Sequence, residues 1–551
     1  MLLSNLNLLA TAPGGVARLR ELILTLAVQG KLVPQDPKDE PASELLKKIR
    51  VEKDRLTAEG KTKRDKPLAE IAEEEKPFDL PMGWEWVRLA DVVRVLNGRA
   101  YGKQELLESG PTPVLRVGNL FTSNHWYYSS LELEPEKYCC EGDLLYAWSA
   151  SFGPFIWTGP KAIYHYHIWK LEPWSVQHFD TGYFHKFLAE KTAEIKAAGH
   201  GVSMIHMTKE KMEKIVVPYP PLAEQSRIVT RAEELMRLCD ALEAKGQLAA
   251  TAHVQLVSTL LTTLTDSETP AQLTDNWHRI ATHFDLLLDL PEAVDALEQT
   301  ILQLAVRGLL VPQDPQDEPA SELLKKIRAE KDKLIAEGKI KRDKPLLPIE
   351  EEVPFVLPHG WCWARFPELG EFGRGKSKHR PRNDPALFNP PKYPLIQTGE
   401  VSRAKGVVQE VHSYYSDLGL AQSRMWPKGT LCITIAANIA ESAVLGFDSC
   451  FPDSVVGFVP ADAMGNVEYF LLFVETARAD LLAFAPATAQ KNINLEILSS
   501  LLIPVPPLNE LTRIVTRVAQ LRRLCADLRQ RLSASQSTQA HLAEALVQSI
   551  G

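Results

Sequence analysis

Two stretches of the chain repeat apolar residues at alternating spacings of four and three, the pattern of a helix that packs along one seam. The first stretch runs from Leu222 to Leu264, and the second begins after Pro507. An uninterrupted helix over the first stretch would be about 60 Å long at ~1.5 Å per residue. We expect the two helices to pair antiparallel about a pseudo-two-fold axis; short independent amphipathic helices are the alternative. The seam residues are Ile228, Ala232, Leu235, Cys239, Leu242, Ile514, Val518, Leu521, Cys525 and Leu528.

A pair of shorter helices is predicted ahead of each long one. Residues 13–33 and 42–60 have helical patterns, and a turn that begins at Pro34 separates them. Pro41 falls in the first turn of the second helix, where its missing N–H costs little. The hairpin recurs at about 291–311 and 320–338, and the charged, proline-containing linkers that follow the two hairpins are 61–81 and 339–358.

Between each linker and the next long helix lies a block with the pattern of β-strands. Short β-branched and aromatic runs, such as TPVLRVG and AIYHYHIWKL in one block and YPLIQTG and GTLCITIAA in the other, are separated by Gly, Pro, Asn and Ser. We therefore predict an α+β fold: two similar domains joined by long antiparallel coiled-coil helices, with an internal pseudo-two-fold repeat. The predicted segments are 1–82 (helical scaffold and linker), 83–217 (first α+β domain), 218–265 (central spacer helix), 266–358 (second helical scaffold and linker), 359–503 (second α+β domain) and 504–551 (C-terminal spacer helix).

The scaffold is a sequence duplication, whereas the two α+β domains differ from each other. Residues 24–68 return at 302–346 with an offset of 278, and residues 217–242 return at 503–528 with an offset of 286. The blocks between them are only faintly similar. A scaffold that is kept while the inserted domains differ indicates two related recognition domains on one frame.

Length and composition are typical of a multidomain soluble protein. The chain has 551 residues, of which 45% are apolar, and this is enough for about four compact units. It contains no run of 18 apolar residues, and its start, MLLSNLNLLATAPGG, has no basic region. We therefore expect neither a membrane span nor a signal peptide, and a cytoplasmic location. Seven cysteines without a CxxC pair argue against a disulfide framework or a zinc ribbon.

The charge balance does not by itself indicate a DNA-binding protein. The formal net charge is −8, with 14 Lys and Arg against 15 Asp and Glu in residues 84–216 and 13 against 14 in residues 361–502. Because neutralisation of phosphates supplies most non-specific affinity, a role on DNA has to rest on local basic patches or on charge that a partner contributes.

Three motifs resemble active-site patterns but lack the necessary context. Gly370 to Ser377 matches the P-loop pattern, yet the prolines that follow it prevent the helix that a phosphate-binding loop requires. The sequence from Asn389 to Lys392 approaches an adenine-methyltransferase motif with lysine in place of the aromatic residue. His165 and His167 share one strand face without a third ligand, so a polar or DNA-facing surface is favoured over a metal site. We predict no catalytic residue, metal or bound cofactor.

Binding chemistry remains, and it is densest in a short loop of the second block. Five cations fall within ten residues between glycines and prolines, where guanidiniums can contact phosphates or guanine in the major groove. A solvated surface loop is the alternative. The candidate DNA contacts of this loop are Arg374, Lys376, Lys378, His379, Arg380, Arg382 and Asn383, and further candidates in the block are Gln397, Asn438, Gln490, Lys491 and Asn492.

The first block has a thinner set of candidates that includes aromatic and amide side chains. Asn and Gln suit bidentate contacts to adenine, although an amide with a structural role is equally common. These candidates are Arg94, Asn97, Arg99, Tyr101, Lys103, Arg116, Asn119, His125 and His206.

Several motifs, in order and in two copies, resemble the DNA-specificity subunits of type I restriction-modification systems, in the branch whose scaffold reads LAVQGKLVPQDP.DEPASELL. The matching stretches are LPMGWEWVRL and LPHGWCWARF at the start of the blocks, GTLCITIAANIAESAV and AQKNINLEIL in the second block, and PPLAEQSRIV after the first. The resemblance covers essentially all of residues 19–549.

The resemblance implies two target-recognition domains, each reading one half of a split, asymmetric sequence in double-stranded DNA. It implies that the helices set the gap and dock two methyltransferase subunits, with a restriction and translocase subunit in the larger complex. S-adenosylmethionine, ATP and Mg would then belong to those partners. One departure is that Gln225 of the first repeat is Leu511 in the second. A P-loop ATPase and a structural protein-binding adaptor are the alternatives.

Overall fold

The computed structural model describes residues 8–62, 68–149, 151–198, 207–267, 269–340, 342, 346, 348, 349, 353–404, 406–483 and 493–550. Within it the chain forms two compact units. The first unit consists of Met1–Ala249 and Gln536–Gly551, and the second unit consists of Ala250–Ser535. The predicted His206, Gln490, Lys491 and Asn492 lie outside the described residues.

The first unit opens with the predicted helical hairpin, α1 (Gly15–Val28) and α2 (Ala42–Ala58). Gly30 follows α1 with a φ of +70°, and a Cβ there would lie 2.5 Å from the ring of Pro81. Glycine is therefore needed both for the left-handed turn and for the close approach. The side chain of Gln35 donates to the carbonyl of Gly30 at 2.6 Å, which closes the turn between the helices.

The first α+β domain follows and is built from two four-stranded sheets and one strand pair. The sheets have the orders β2-β9-β6-β7 and β4-β3-β8-β5, and β1 pairs antiparallel with β10. Its elements are β1 (Glu85–Arg88), α3 (Leu89–Val92), β2 (Val93–Asn97), β3 (Thr112–Leu115), α4 (Val117–Phe121), β4 (Tyr127–Ser129), β5 (Tyr138–Cys139), β6 (Leu144–Ala147), β7 (Gly153–Ile156), β8 (Ala162–Tyr164), β9 (Ile168–Pro173), α5 (Thr181–Ala198), α6 (Lys209–Glu213) and β10 (Val216–Tyr219).

A helix of 44 residues, α7 (Leu222–Thr265), leaves this domain, as the 4-3 spacing predicts. Its first part belongs to the first unit and its last part to the second unit. The helices that follow in the second unit are α8 (Pro270–Thr282), α9 (Phe284–Leu287) and the repeated hairpin, α10 (Pro291–Val306) and α11 (Ala320–Ala336).

The second α+β domain repeats the topology of the first, with one additional strand, β14, at the edge of one sheet. Its sheets have the orders β12-β20-β17-β18-β14 and β15-β13-β19-β16, and β11 pairs antiparallel with β21. Its elements are β11 (Cys362–Ala364), α12 (Phe366–Leu369), β12 (Gly370–Arg374), β13 (Tyr393–Leu395), α13 (Thr398–Arg403), β14 (Val407–Val408), β15 (Ser413–Tyr415), α14 (Asp417–Ala421), β16 (Met425–Trp426), β17 (Leu431–Thr434), β18 (Ser442–Leu445), β19 (Ser449–Cys450), β20 (Val455–Pro460), α15 (Glu468–Ala483), α16 (Leu495–Ser500) and β21 (Ile503–Val505).

A second long helix, α17 (Leu508–Ile550), ends the chain. Each unit contains the first part of one long helix and the last part of the other, as an antiparallel pair requires. The unit boundaries follow Ala249 in α7 and Ser535 in α17, which are 286 residues apart like the sequence repeat itself. The predicted α+β class with two similar domains, long helices and an internal repeat is confirmed.

Six of the ten seam residues are buried and the four leucines Leu235, Leu242, Leu521 and Leu528 are half-buried, but the seam packs against more than one helix. In the first unit, Ala232 and Cys239 share a core with Leu19 and Ile23 of α1 and with Ala543 near the end of α17. The second unit is built in the same way, since Ile514, Val518 and Cys525 join the core that contains Leu297 of α10 and Leu261 of α7. The short helix of each hairpin therefore completes a bundle, which the 4-3 spacing alone does not predict.

One helix in the described part of the chain, α7, is long and apolar enough to cross a membrane. An 18-residue window within it has a mean hydropathy of 1.2, and 22% of that window is buried. A single helix of this kind is weak evidence for a membrane span, because core helices of soluble proteins have the same length and composition.

Candidate nucleic-acid interface

In the first α+β domain, the chain that leaves β2 crosses tightly over the turn between β8 and β9. The Arg99 amide donates to the Tyr164 carbonyl at 3.1 Å, and the Gly98 amide donates to the Ile168 carbonyl at 3.3 Å. A Cβ at Gly98 would lie 2.4 Å from the carbonyl oxygens of Tyr164 and His165. Only glycine therefore permits the crossing.

The second domain contains the same crossing, at equivalent residues. The Lys376 amide donates to the Phe451 carbonyl at 3.2 Å, and the Gly375 amide donates to the Val455 carbonyl at 2.9 Å. A Cβ at Gly375 would lie 2.3 Å from the carbonyl oxygens of Phe451 and Pro452. The matching hydrogen bonds make the turn 165–167 of the first domain equivalent to the turn 452–454 of the second. The same backbone arrangement therefore carries His-Tyr-His in the first domain and Pro-Asp-Ser in the second.

The crossing brings predicted DNA contacts of the first domain together. The Arg99 guanidinium binds Glu105 at 2.7 Å and lies 5.3 Å from the ring of Tyr101. Tyr101 donates to the Tyr164 carbonyl at 3.3 Å, and its ring centroid lies 6.4 Å from that of His165. Burial raises the pKa of Tyr101, so its hydroxyl stays protonated and can donate.

A second group of predicted contacts in this domain surrounds the start of α4. The exposed Arg116 lies 5.3 Å from the ring of Tyr127, and His125 packs edge-on against the same ring at 4.7 Å. The Asn119 side chain accepts from the Arg116 amide at 3.1 Å and donates to the His125 carbonyl at 2.8 Å. Asn119 therefore shapes the loop that carries its neighbours, which is the structural alternative for an amide.

The His-Tyr-His turn completes a continuous aromatic and polar surface on the first domain. Tyr166, 40% exposed, contacts His165 and His167 with ring centroids 4.5 and 3.9 Å away. Trp148 packs edge-on against His167 at 5.1 Å and donates from its indole nitrogen to the Tyr166 carbonyl at 3.0 Å. Through Tyr101, this surface joins the candidates at Arg99.

Burial, aided by the nearby His167 and Arg116, lowers the pKa of His165 to about 4. Burial also lowers the pKa of His167. Both imidazoles are therefore neutral at physiological pH, and each has one nitrogen that donates and one that accepts. Neutral imidazoles suit the edges of bases better than they suit phosphates.

Three other candidates of the first domain are placed differently. The Arg94 guanidinium is held by Glu172 and by Glu136, the latter at 2.9 Å, so its charge is engaged inside the domain. Asn97 is exposed at the end of β2, and its carbonyl accepts from Lys137 at 2.9 Å. Lys103 is exposed in the loop that follows. DNA contact by these residues stays a prediction.

In the second domain, Arg374 at the end of β12 and the mostly exposed residues that follow it up to Asn383 are called here the basic loop. The Arg374 side chain donates from Nε to the Asp453 carbonyl at 2.9 Å, and Arg382 binds the Asp453 carboxylate at 2.9 Å. The Arg380 guanidinium donates to the carbonyls of Ser377 and His379 at 2.7 and 2.8 Å. Lys376, Lys378 and Asn383 are exposed.

Residues outside the basic loop fix its path. The Gln422 side-chain oxygen accepts from the amides of Lys378 and His379 at 2.7 and 3.1 Å. His379 pairs with Asp384 at 2.8 Å. The middle of the loop is thus held by Gln422 and Asp384, while the side chains of Arg374, Lys376, Lys378, Arg380 and Arg382 are exposed.

The P-loop pattern does not fold into a nucleotide site. Gly370 to Arg374 form the strand β12 rather than a loop, and no helix follows the pattern in the described residues. The amides of Gly375 and Lys376 are already bonded to carbonyls of the crossing, so they cannot surround a phosphate. In the described part of the chain, no group of three His, Cys, Asp or Glu side chains could hold a metal ion.

Two further candidates lie outside the basic loop of the second domain. Gln397 precedes α13, and its backbone N–H donates to the Glu400 carboxylate at 3.0 Å. The backbone N–H of Arg116 donates to the Asn119 side chain in the same way. Asn438 is exposed in a loop where Ala437 and Ala440 have φ of +64° and +60°. Non-glycine residues in this conformation are uncommon and concentrate at functional loops.

Sequence reasoning missed Trp148 and Asp453. It also placed His165 and His167 on one strand face, which is wrong: β8 ends at Tyr164 and β9 begins at Ile168, and the Ile168 amide donates to the His165 carbonyl at 2.9 Å to close a turn between them. The aromatic run AIYHYHIW was an available signal for the turn. Asp453 gave no local signal, because its partners Arg374 and Arg382 are 79 and 71 residues away.

Comparison with known proteins agrees with this architecture. The family model of the type I restriction modification DNA specificity domain matches residues 81–250 and 362–535. The chain is 35% identical to the EcoAI specificity subunit of Escherichia coli over 97% of this chain and 93% of that one, and it is 35% identical to the EcoEI specificity subunit of the same organism with the same coverage. The crystal structure of the HsdS subunit from Thermoanaerobacter tengcongensis is 16% identical, covers 86% of this chain and 98% of its own, and has a TM-score of 0.42. The chain belongs to the DNA-specificity subunits of type I restriction-modification systems.

Proposed function

We propose that each α+β domain reads one half of a bipartite, asymmetric target in double-stranded DNA. The observation that carries the proposal is the shared crossing, in which Gly98 and Gly375 allow the same backbone arrangement with different side chains on the adjoining turns. A shared backbone fits a shared mode of docking on the duplex. Different side chains fit two different half-sites, since base edges are distinguished by hydrogen bonding.

The two surfaces have different chemistry. The second domain offers arginines, whose forked guanidinium suits O6 and N7 of guanine. The first domain offers neutral imidazoles, tyrosines and the exposed Arg116. A neutral imidazole can both donate to and accept from base edges, and an aromatic ring can pack against the methyl group of thymine. We therefore expect the first domain to read a half-site that depends less on guanine.

The long helices dock two copies of one methyltransferase subunit in this proposal. In the part of α7 that belongs to the first unit, four exposed residues have identical, exposed counterparts 286 positions later in α17, whereas their exposed neighbours Glu233 and Glu234 correspond to Ala519 and Gln520. Along the helix they form two sets of two adjacent residues that are seven residues, or about two helical turns, apart, so all four lie on one side of the helix. The pairs are Thr230 and Thr516, Arg231 and Arg517, Arg237 and Arg523, and Leu238 and Leu524.

The docking stripe defined by these pairs combines apolar and positive surface. Leu238 and Leu524 are 59% and 63% exposed, which is unusual for a large apolar side chain. Because the same surface occurs twice, it suits two identical partner subunits, each with an apolar patch for the leucine and acidic residues for the arginines. Replacing Leu238 and Leu524 by Ser should reduce the methyltransferase copies bound per chain from two to none, and replacing one leucine should leave one copy.

Catalysis belongs to the partners in this proposal. S-adenosylmethionine is bound by the methyltransferase subunits, and ATP and Mg are bound by the restriction and translocase subunits of the larger complex. The chain contributes recognition, and its helices set the gap between the half-sites.

A domain replacement tests the proposed function. Replacing residues 84–217 by residues 361–503 keeps the scaffold and gives a chain with two copies of the second domain. With the methyltransferase subunits present, the wild-type complex should methylate a target with two unlike halves. The replacement should methylate an inverted repeat of the second half-site. Methylation of an unchanged asymmetric target by the replacement chain would refute the assignment of one half-site to each domain.

A further inference from the structure

Asp453 lies against the basic loop, although a carboxylate has the wrong charge for a surface that meets phosphates. Its carboxylate oxygens accept hydrogen bonds of 3.0 and 2.9 Å from one terminal nitrogen of Arg382. Its backbone carbonyl accepts a bond of 2.9 Å from Nε of Arg374. One turn residue therefore holds two arginines that come from opposite ends of the loop.

The negative charge of Asp453 does not increase affinity for DNA. Five Lys and Arg residues occupy the basic loop, and a negative charge among them weakens their attraction for phosphates. The pair is open to solvent, with Arg382 53% and Asp453 38% exposed. An exposed pair of this kind also adds little to folding stability. What the carboxylate does supply is a fixed direction for the Arg382 side chain.

The first domain uses the equivalent position differently. Tyr166 stands where Asp453 stands, and the nearby arginine of that domain, Arg99, is held instead by Glu105 at 2.7 Å. Each domain thus orients an arginine beside the crossing with a carboxylate of its own. Those carboxylates come from different elements, since Glu105 follows β2 and Asp453 lies in the turn before β20.

Orientation matters for arginine more than for other cations. A free arginine side chain samples many rotamers, and bidentate contact with guanine requires one planar placement of the fork. Each terminal nitrogen of a guanidinium carries two N–H groups. Arg382 contacts Asp453 through one terminal nitrogen, so the second N–H group of that nitrogen and the N–H groups of the other terminal nitrogen can together form a bidentate contact with guanine.

We propose that Asp453 is a positioning residue for DNA recognition by the second domain, and that it holds Arg382 for contact with guanine at one base pair of the half-site. The inference rests on the proposed function, since it assumes that the second domain reads a half-site.

The test is Asp453→Asn in the complete complex with the methyltransferase subunits. Methylation rates are measured on duplexes randomised across the second half-site, with the first half-site fixed. Loss of one bidentate guanine contact corresponds to about 5- to 150-fold discrimination, so we expect preference at one base pair to fall about 10-fold. Preference at the other base pairs should persist, and affinity for non-specific DNA should stay equal or rise because a negative charge is lost.

Two comparisons separate positioning from a structural role. Arg382→Ala and the double variant Arg382→Ala with Asp453→Asn should lose the same preference to the same extent, because the two residues act through one contact. Asp417→Asn is the matched control, since it removes an exposed ion pair of 2.8 Å with Lys392 in the same domain. It should leave every preference unchanged.

The inference is overturned if Asp453→Asn keeps the wild-type preference at every base pair, or if it weakens all sequences equally and lowers the melting temperature. A wild-type complex without any preference in the second half-site would instead refute the proposed function, and the inference with it.

Discussion

The indole nitrogen of Trp84 donates a hydrogen bond of 3.0 Å to the carboxylate of Glu224, and the second repeat contains the same bond, from Trp361 to Glu510, at 3.1 Å. Gln35 donates to the other carboxylate oxygen of Glu224 at 3.1 Å. The carboxylate thereby joins the hairpin turn, the first residues of the α+β domain and the start of the long helix. Burial raises its pKa, as expected for a carboxylate that is 1% exposed.

We predict that Glu224→Leu destabilises the protein by about 1 to 3 kcal/mol, because the indole N–H of the buried Trp84 would lose its partner. The exposed Gln35 would lose one acceptor but keep its bond to the Gly30 carbonyl. Urea unfolding of the full chain measures the change. Glu234→Gln is the control, since it introduces the residue that the second repeat has at this exposed position and should cost less than about 0.5 kcal/mol. A cost for Glu224→Leu as small as that of the control would contradict the role of the carboxylate.

Gln225 of the first repeat corresponds to Leu511 in the second, and local contacts explain the difference. Its side-chain oxygen accepts from the Asp180 amide at 3.1 Å, and its nitrogen donates to the Pro220 carbonyl at 2.9 Å. Leu511 is equally buried and lies in the hydrophobic core of the second unit. The two repeats therefore use the same position for a hydrogen-bonded junction in one case and for apolar packing in the other.

A second prediction concerns the basic loop. Replacing Arg374, Arg380 or Arg382 singly by Ala should cost about 1 to 3 kcal/mol where the side chain reads a base and less where it touches phosphate. Arg380 donates to carbonyls of its own loop, so we expect its loss to weaken binding without changing sequence preference. Mapping the methylated targets of each variant checks this. If all three variants methylate the wild-type targets at the wild-type rate, the loop is a solvated surface.

The scaffold could be predicted from sequence because its signals are local. The 4-3 spacing predicted a helix over 222–264, and α7 spans Leu222–Thr265. The site was less predictable, because its decisive contacts join distant residues. Arg94 looked like a free cation, but Glu136 and Glu172 lie beside it in space, 42 and 78 residues away in sequence. The crossing at Gly98 depends in the same way on a turn more than 60 residues later.

A third prediction follows from charge. Both blocks are close to neutral and the net charge is −8, so the isolated chain should bind DNA weakly. Binding should weaken further with salt, and affinity should rise when the methyltransferase subunits add basic surface. Fluorescence anisotropy with a labelled duplex at several salt concentrations measures both effects. Tight, sequence-specific binding by the chain alone at physiological salt would contradict it.

A fourth prediction concerns acidification of the first domain. Burial, aided by the neighbouring charge of Lys186, lowers the pKa of His185 to about 4. The folded protein then binds fewer protons than the unfolded protein between pH 6.5 and about 4. This contribution to stability is complete above pH 6.5 and is lost as the pH falls toward 4.

Leu471 occupies the equivalent position in the second repeat, so His185→Leu is a natural test. The variant should lose less stability than the wild-type protein between pH 6.5 and 4, by about 1 kcal/mol or more. Melting temperatures across this pH range measure the difference. The control is His278→Gln at an exposed residue of α8. Parallel curves for His185→Leu and the wild-type protein would rule out the histidine as the cause.

The central claim is that each α+β domain reads its own half-site while the long helices set the gap. The boundaries between the units offer equivalent insertion points after Ala249 and Ser535. Four residues inserted at both points should lengthen the helices by about 6 Å at ~1.5 Å per residue, which is nearly two base pairs at ~3.4 Å each. Relative to its partner, a coiled-coil helix completes one turn in about 3.5 residues. An insertion of four residues therefore rotates the seam by only slightly more than one full turn, so the apolar residues should still face the partner helix.

The most direct measurement is the methylated target of a host that carries the complete system with these insertions, compared with the wild-type target. We predict that both half-sites stay unchanged and that the gap between them lengthens by one or two base pairs. An altered half-site with an unaltered gap would contradict the claim.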